Sequence, residues 1–331
     1  MIIVTGGAGF IGSNIVAALA GSGRREIVVC DWFGDDAKWR NIAHHEIYDI
    51  IRPEDLFSFI EPRRMRIEAI LHMGAISSTA ERDADKIIAA NFRLPCDLWD
   101  WCSRTGTPFI YASSAATYGD GGAGFEDACT PEALAKLRPL NAYGWSKHAF
   151  DRRAARLASL AKSSRQAPAV WAGLKFFNVY GPNEYHKGNM RSVVCQIVDT
   201  VRRGDTVRLF KSHNPSYPDG GQLRDFIYVK DCADIILWLL SRGEYQGVYN
   251  AGTGKARSFA DLAHAVFAAM GLPPSIEYTD TPEEIRAAYQ YFTQADMRRL
   301  RALGYDRPFT ELEDGISDYV KNYLLAPDPY V

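Results

Sequence analysis

The chain has 331 residues, 47% hydrophobic and 24% charged, enough to bury a large core in two lobes or one extended α/β domain. Its 38 basic and 40 acidic residues leave a formal charge of −2, which argues against nucleic acid as a partner. The six cysteines (Cys30, Cys96, Cys102, Cys129, Cys195, Cys232) show no C-x-x-C spacing. They read as reduced thiols, not as a disulfide framework or a metal site.

The opening "MIIVTGG" runs directly into a strand, which leaves no room for a signal peptide, and no apolar run reaches the length of a membrane span. A cytoplasmic protein with no membrane partner is expected. Through the first half, "MIIVT", "EIVVCD", "EAILHMGA" and "PFIYASS" read as four buried strands. Between them lie "GSNIVAALAGSG" and "ADKIIAANFRLPCDLWDWCSRTG", with apolar residues at helical spacing. This alternation predicts an α/β fold: a doubly wound parallel Rossmann sheet. After about residue 178 the pattern loosens, and a smaller, interleaved C-terminal α/β lobe is expected. The boundaries are 1–177 and 222–251 for the dinucleotide-binding domain, and 178–221 and 252–331 for the second.

"TGGAGFIGS" follows the first strand and opens a helix, with Gly6, Gly9 and Gly12 in a G-x-x-G-x-x-G pattern. Such glycines allow a tight turn and let backbone N–H groups approach a pyrophosphate at the helix N-terminus. Asp31 lies 19 residues beyond Gly12, at the end of the second strand, where a carboxylate binds ribose hydroxyls. Asp31 alone favours NAD, because its charge repels a 2′-phosphate. Lys38 and Arg40 in the following loop could instead fold onto that phosphate, and the choice stays open at this level.

"NAYGWSKHAF" places Tyr143 and Lys147 four apart, on one helix face. A tyrosine with an ordinary pKa near 10 is no base at neutral pH; a nearby ammonium and a nicotinium ring would favour its phenolate. Ser114 closes the fourth strand, well placed to hydrogen-bond an oxygen undergoing oxidation.

Taken together, these residues resemble the extended short-chain dehydrogenase/reductases, and within them the nucleotide-sugar epimerases and dehydratases. The 4,6-dehydratases carry an Asp-Glu pair after the matching serine; here Ala115 and Ala116 stand there, against a dehydratase. "MIIVTGGAGFIGSNIV", "HMGAISST", "YASSAATYG", "FNVYGPNEYHKGNM", "NAGTGKARSF" and "YQYFTQADMRRLRALGYDRPF" together resemble the ADP-L-glycero-D-manno-heptose 6-epimerase family over almost the whole chain.

The resemblance implies tightly bound NADP that oxidises C6″ of an ADP-heptose and returns the hydride to the opposite face, supplying a lipopolysaccharide core precursor. It implies Tyr143 as one acid/base and Lys187 as the second, with Lys147 holding the cofactor ribose and Ser114 polarising the sugar oxygen. Phe10, Ile11, Asp31, Lys38 and the stretch Met73, Gly74, Ala75, Ile76 and Ser77 match cofactor contacts, completed by Asn91 and Val179. Asn178, Phe210, Lys211, Arg224 and Tyr289 fall where the family binds its nucleotide-sugar. Trp32 replaces a small polar residue beside the adenosine ribose, and Pro53 replaces a cofactor-contacting lysine. Asn189 and Gln196 stand at substrate positions where the family has serine and histidine, and the 212–222 loop is long. A homo-oligomer, pentameric on the family pattern, is also implied.

Other residues read as structural. His72 is expected to be a buried, hydrogen-bonded histidine and His186 an exposed loop residue; His44 and His45 are adjacent, which on a strand would point them to opposite faces, so no metal site is expected. The tryptophans of "WDWCSR" are expected to pack helix against sheet or subunit, and "GDDAK" and "TPEEIR" to be solvated turn and helix-start residues. Two alternatives remain: a UDP-hexose 4-epimerase, which needs no second acid/base, and a non-catalytic NAD(P)-binding sensor.

Overall fold

The computed structural model describes residues 1–34, 37–79, 81–160, 166–286 and 290–331, the side chains of 284 and 285 excepted. In chain order the strands are β1 (Ile2–Thr5), β2 (Ile27–Cys30), β3 (Asp49–Ile51), β4 (Ala69–His72), β5 (Phe109–Ser114) and β6 (Trp171–Phe176). They continue as β7 (Asn178–Tyr180), β8 (Val207–Phe210), β9 (Leu223–Tyr228), β10 (Gln246–Ala251), β11 (Ala256–Ser258) and β12 (Ile276–Thr279). Helices of eight residues or more are α1 (Phe10–Gly21), α2 (Leu94–Thr105), α3 (Ala142–Leu160), α4 (Val193–Arg202), α5 (Val229–Arg242), α6 (Phe259–Met270) and α7 (Leu312–Tyr319).

Seven parallel strands in the order β10-β6-β5-β4-β1-β2-β3 form the central sheet. β1, β2 and β4 are buried at every position, as strands covered on both faces must be, which is why they read as unbroken apolar runs. Ile15, Val16 and Leu19 of α1 and Ile235, Ile236 and Leu239 of α5 build the core on one face. On the other, Trp99 of α2 meets Phe109, Phe150 and Trp171 edge-on. Trp99 of "WDWCSR" thus packs helix against sheet, while Trp101 donates to Glu61 Oε2 at 2.8 Å.

A second core joins α4, α6 and α7 to β8 and β9. It carries two small sheets, β11-β9-β7 and β12-β8, and these form the smaller C-terminal lobe. The strand order reverses between β1 and β4, and the crevice outside their carboxyl ends is where an open α/β sheet binds its ligand.

Two local features differ from the sequence expectation. β3 makes five strands before residue 115, so Ser114 closes the fifth, not the fourth; Asp49 and Ile50 of β3 are exposed, too weak an apolar pattern to register. The helix after residue 84 is interrupted by a wider π-turn over Ala89–Arg93. Pro95 has no N–H to donate to the Asn91 carbonyl four residues back, so the ladder skips there.

One buried ion pair binds α3 to the sheet. Lys175 of β6 and Asp151 of α3 are both fully buried and 2.7 Å apart. Asp151 also accepts from the Tyr111 and Ser113 hydroxyls, and Lys175 donates to Thr117 at 2.5 Å. Removing one partner of such a pair strands a buried charge, so Lys175→Met should lower stability in urea unfolding by about 3–5 kcal/mol. The double variant Lys175→Met/Asp151→Asn should recover most of that loss.

Candidate active site

Thr5 ends β1, and Gly6 turns the chain with φ of 63°. A Cβ on Gly6 would lie 2.6 Å from Gly74 Cα, and one on Gly12 only 2.1 Å from the Gly6 carbonyl oxygen. The loop therefore packs backbone on backbone against the segment after β4, and neither position accepts a side chain. α1 then starts after Gly9, with no side-chain cap and no acidic residue in its first turn. Its unpaired N–H groups and positive dipole end suit a phosphate anion.

Asp31, at the end of β2, is buried. Its Oδ2 accepts from Ala8 N at 2.9 Å, and its Oδ1 pairs with Lys38 Nζ at 2.6 Å. Lys38 also donates to the Trp32 carbonyl oxygen at 2.9 Å. The Trp32 indole is 54% exposed and donates to Glu54 at 2.8 Å, next to Pro53.

Met73 N donates to Thr5 O at 3.0 Å, which aligns the stretch through Ser77 with the glycine loop; Ala75 and Ser77 are exposed along it. The π-turn sets Asn91 under this stretch. Its Oδ1 accepts from Ile76 N at 2.8 Å, and its Nδ2 donates to Ile76 O at 2.9 Å and Ser146 Oγ at 3.1 Å. Val179 is half-buried in β7. His72 is fully buried with Nδ1 2.6 Å from Thr5 Oγ1, and burial pushes it down to about 3, so it is a neutral structural residue.

Ser114 pairs with Phe176 across β5 and β6 and hydrogen-bonds the Tyr143 phenol. Gly144 permits that contact: a Cβ there would sit 2.7 Å from the Ala116 carbonyl oxygen, so only glycine lets α3 approach the turn after Ser114. Burial raises the Tyr143 pKa and the Ser114 hydrogen bond lowers it; the lowering expected from Lys147 is absent here.

Lys147 is 4% exposed, and no hydrogen bond of its ammonium is found among the described residues. Burial brings it down to about 8, opposed by the Asp151 charge. A buried ammonium without an acceptor is costly. Together with the glycine cradle and the uncapped α1, it fits a dinucleotide whose ribose hydroxyls would accept from it.

Lys187 lies in the short helical turn Tyr185–Met190 of the loop after β7, half-buried, its Nζ 5.3 Å from the centroid of the Phe10 ring at the start of α1. Burial lowers its proton affinity and Glu184 raises it. Glu184, fully buried, accepts from Ser192 N, from Ser192 Oγ at 2.6 Å and from Tyr319 OH at 3.0 Å. His186 is not the exposed residue expected: it is half-buried, its Nδ1 3.1 Å from Asn41 Nδ2. His44 and His45 lie in a turn, not a strand.

In the second lobe, β7 pairs Asn178 with Phe226, two residues along β9 from Arg224. Arg224 is largely buried, its Nη1 donating to Leu223 O at 2.9 Å and its guanidinium over the Phe259 ring. Gln222 Nε2 donates to the carbonyls of Phe210 and Lys211, which ties these two candidates to the segment leading into β9. Lys211 also faces Asp280 at 3.5 Å. Gln196 is turned to its own loop, donating to Arg191 O at 2.8 Å and Asn189 O at 3.4 Å. Tyr289 and the Asp35-Asp36 pair of "GDDAK" lie outside the described residues.

Several supporting residues have no local sequence signal, because each acts on a partner far along the chain: Asn41, Gly144, Asp151, Lys175, Asn183 and Glu184. Gly144 is the sharpest test of this support. Gly144→Ala should leave the protein folded but push Tyr143 off Ser114, lowering turnover by about 10²-fold, as a displacement of about 1 Å does, readable by comparing kcat with thermal unfolding.

Residues 2–252 match the NAD dependent epimerase/dehydratase family. The ADP-L-glycero-D-manno-heptose-6-epimerase of Nitratidesulfovibrio vulgaris is 48% identical over the full length of both chains, and that of Fusobacterium nucleatum 44% over the full length of both. Among solved structures, the Helicobacter pylori ADP-L-glycero-D-manno-heptose-6-epimerase superposes with a TM-score of 0.76 at 27% identity, over 97% of this chain and 95% of that one. The Thermus thermophilus UDP-glucose 4-epimerase in complex with NAD gives 0.73 at 26% identity, over 98% and 99%. With these likenesses on a nucleotide-binding Rossmann sheet, the chain belongs to the ADP-L-glycero-D-manno-heptose-6-epimerase family of the NAD dependent epimerases and dehydratases.

Proposed function

We propose that this chain inverts C6″ of ADP-D-glycero-D-manno-heptose to give ADP-L-glycero-D-manno-heptose, a lipopolysaccharide core precursor. The observation that carries this reading is Lys187, a second proton-carrying side chain held against Phe10 at the mouth of the glycine loop, on the carboxyl edge of the sheet that also presents Tyr143. When bound, a nicotinamide dinucleotide supplies reversible hydride transfer at the sugar carbon and, oxidised, the positive charge that the half-buried Tyr143 needs to ionise.

The chain's own residues handle the proton. One of Tyr143 and Lys187 takes the proton from O6″ as the alcohol becomes a ketone. The ketone turns its other face, and the second residue returns a proton to the same oxygen as the carbon is reduced. Ser114 donates to that oxygen, and Lys147 orients the ribose. Gly6, Gly9, Phe10, Ile11, Gly12, Asp31 and the 73–77 stretch form the cofactor side, within residues 1–177 and 222–251. Asn178, Phe210, Lys211 and Tyr289 bind on the sugar side, within 178–221 and 252–331, with Arg224, contributed from the 222–251 segment, as a pyrophosphate partner. A cytoplasmic homo-oligomer belongs to the same reading.

The dinucleotide is proposed to be NADP. Lys38 offsets the Asp31 charge and lies next to the ribose end, so Lys38→Ala should weaken retention of NADP by about tenfold or more and leave NAD unaffected, measured on the cofactor released by denaturation. NAD as the dominant released form would favour the alternative, which Trp32 and the nearby Glu54 support.

Inversion is followed by NMR at C6″ with ADP-D-glycero-D-manno-heptose. Tyr143→Phe and Lys187→Met should each lower kcat by about 10²–10⁴-fold. Full activity of Lys187→Met would point instead to a tyrosine-only mechanism like that of a UDP-hexose 4-epimerase. Absence of turnover on every nucleotide-sugar tried, with tight cofactor binding, would favour a sensor.

A further inference from the structure

Among the described residues, Asn183 alone combines a side chain with a positive φ, 73°, and it is fully buried. Left-handed backbone is disfavoured for any residue with a Cβ, least so for asparagine. It persists in a core only where the surroundings hold it there.

The surroundings here are specific. Asn183 Nδ2 donates to Ser13 Oγ at 3.0 Å and to Asn41 O at 3.1 Å, and its Oδ1 accepts from Val331 N at 3.2 Å. Its main-chain oxygen accepts from Asn41 Nδ2 at 3.1 Å. These partners belong to three separate parts of the chain: α1, the turn Ala37–Ile42 that carries Lys38, and the C-terminal segment. Asn41 in turn donates to Ala8 O of the glycine loop at 2.8 Å.

The same locking continues toward Lys187. Asn14 Nδ2 donates to Pro182 O at 3.0 Å. Tyr185 donates to Pro329 O at 2.7 Å, and its ring meets Tyr330 edge-on at 5.4 Å. Lys187 N donates to Glu184 O at 3.0 Å. From Pro182 to Lys187 the loop is tied to the cofactor side of the molecule and to the C-terminal segment.

We propose that Asn183 is a positioning residue for proton transfer. By joining the Lys187 loop to the glycine-loop helix and the Lys38 turn, it holds the Lys187 amine over Phe10 in register with the bound dinucleotide. The inference rests on the acid/base reading of Lys187, which Lys187→Met tests separately.

The experiment compares Asn183→Gly and Asn183→Ala with the parent and with Lys187→Met, using the full chain and ADP-D-glycero-D-manno-heptose. Glycine keeps the left-handed backbone and removes only the amide; alanine also strains the turn. Asn183→Gly should lower kcat about 10- to 100-fold, with KM within about twofold, cofactor content unchanged and the unfolding midpoint close to the parent's. Asn183→Ala should lose a similar factor in kcat and also unfold earlier. A parent-like kcat in Asn183→Gly while Lys187→Met is inactive would overturn the positioning role and leave the Lys187 reading intact. A kcat loss that tracks lost cofactor or lost folded protein would also overturn it, as would a parent-like kcat in Lys187→Met, which removes the residue to be positioned.

Discussion

Three lysines wholly or partly shielded from water, Lys175 and Lys147 buried and Lys187 half-buried, set most of the constraints in this molecule. Desolvating an ammonium is expensive, and the chain answers that cost differently each time. Lys175 is matched within the fold by the Asp151 carboxylate and the Thr117 hydroxyl. Lys187 lies over the Phe10 ring with Glu184 behind it. Among the described residues, Lys147 has only the more distant Asp151 charge. The matched lysine is structural, and the two incompletely matched ones are those proposed to meet cofactor and substrate. A buried cation lacking an acceptor is what a site looks like when its acceptor arrives with the ligand.

The supporting structure follows from placing these charges. Asp151 lies one turn from Lys147 on α3 and is fixed by residues of β5 and β6, so the helix that presents Tyr143 cannot slide along the sheet. Gly144 lets that helix come close to Ala116, and the π-turn at Asn91 reaches Ser146 from the other side. The Tyr143–Ser114 contact is therefore bracketed by a backbone approach, a buried ion pair and an amide bridge, each from a different element. Such bracketing is what the proposed proton transfer at Tyr143 would require.

Much of this was legible in the sequence. The glycine loop, Asp31 and the Tyr143–Lys147 spacing are local patterns with a mechanical cause, and β1, β2 and β4 are apolar because both faces are covered. What local pattern cannot carry is pairing across the fold. β3 escaped because two of its three residues are exposed, and His186 read as an exposed loop residue because Asn41, its partner, is 145 residues away. Asn183, Glu184, Asp151 and Lys175 gave no signal for the same reason. A buried asparagine or carboxylate looks like any loop residue until the elements that bind it are assembled. The Tyr143 pKa differs in kind: the Tyr-x-x-x-Lys spacing implies a lowered value, but burial dominates in the protein alone, and the lowering needs a charge the polypeptide does not contain.

The arrangement also bears on how one scaffold serves different epimerisations. The fold is shared with the Thermus thermophilus UDP-glucose 4-epimerase at a TM-score of 0.73, so the sheet and glycine loop do not select the carbon to be inverted. Selection has to come from what is hung on the sheet edge. A ring carbon can be presented from either face by turning the sugar in a wide site, with a single tyrosine handling the proton. A carbon on a short side chain can instead turn within a fixed nucleotide-sugar, which moves its oxygen from one wall of the crevice to the other. That motion requires a proton carrier on each wall, and it requires the walls to stay in register while the ketone turns. In the mechanism proposed for this chain the second wall is the loop after β7, which the buried amides of Asn183 and Asn41 tie to the glycine loop and its helix.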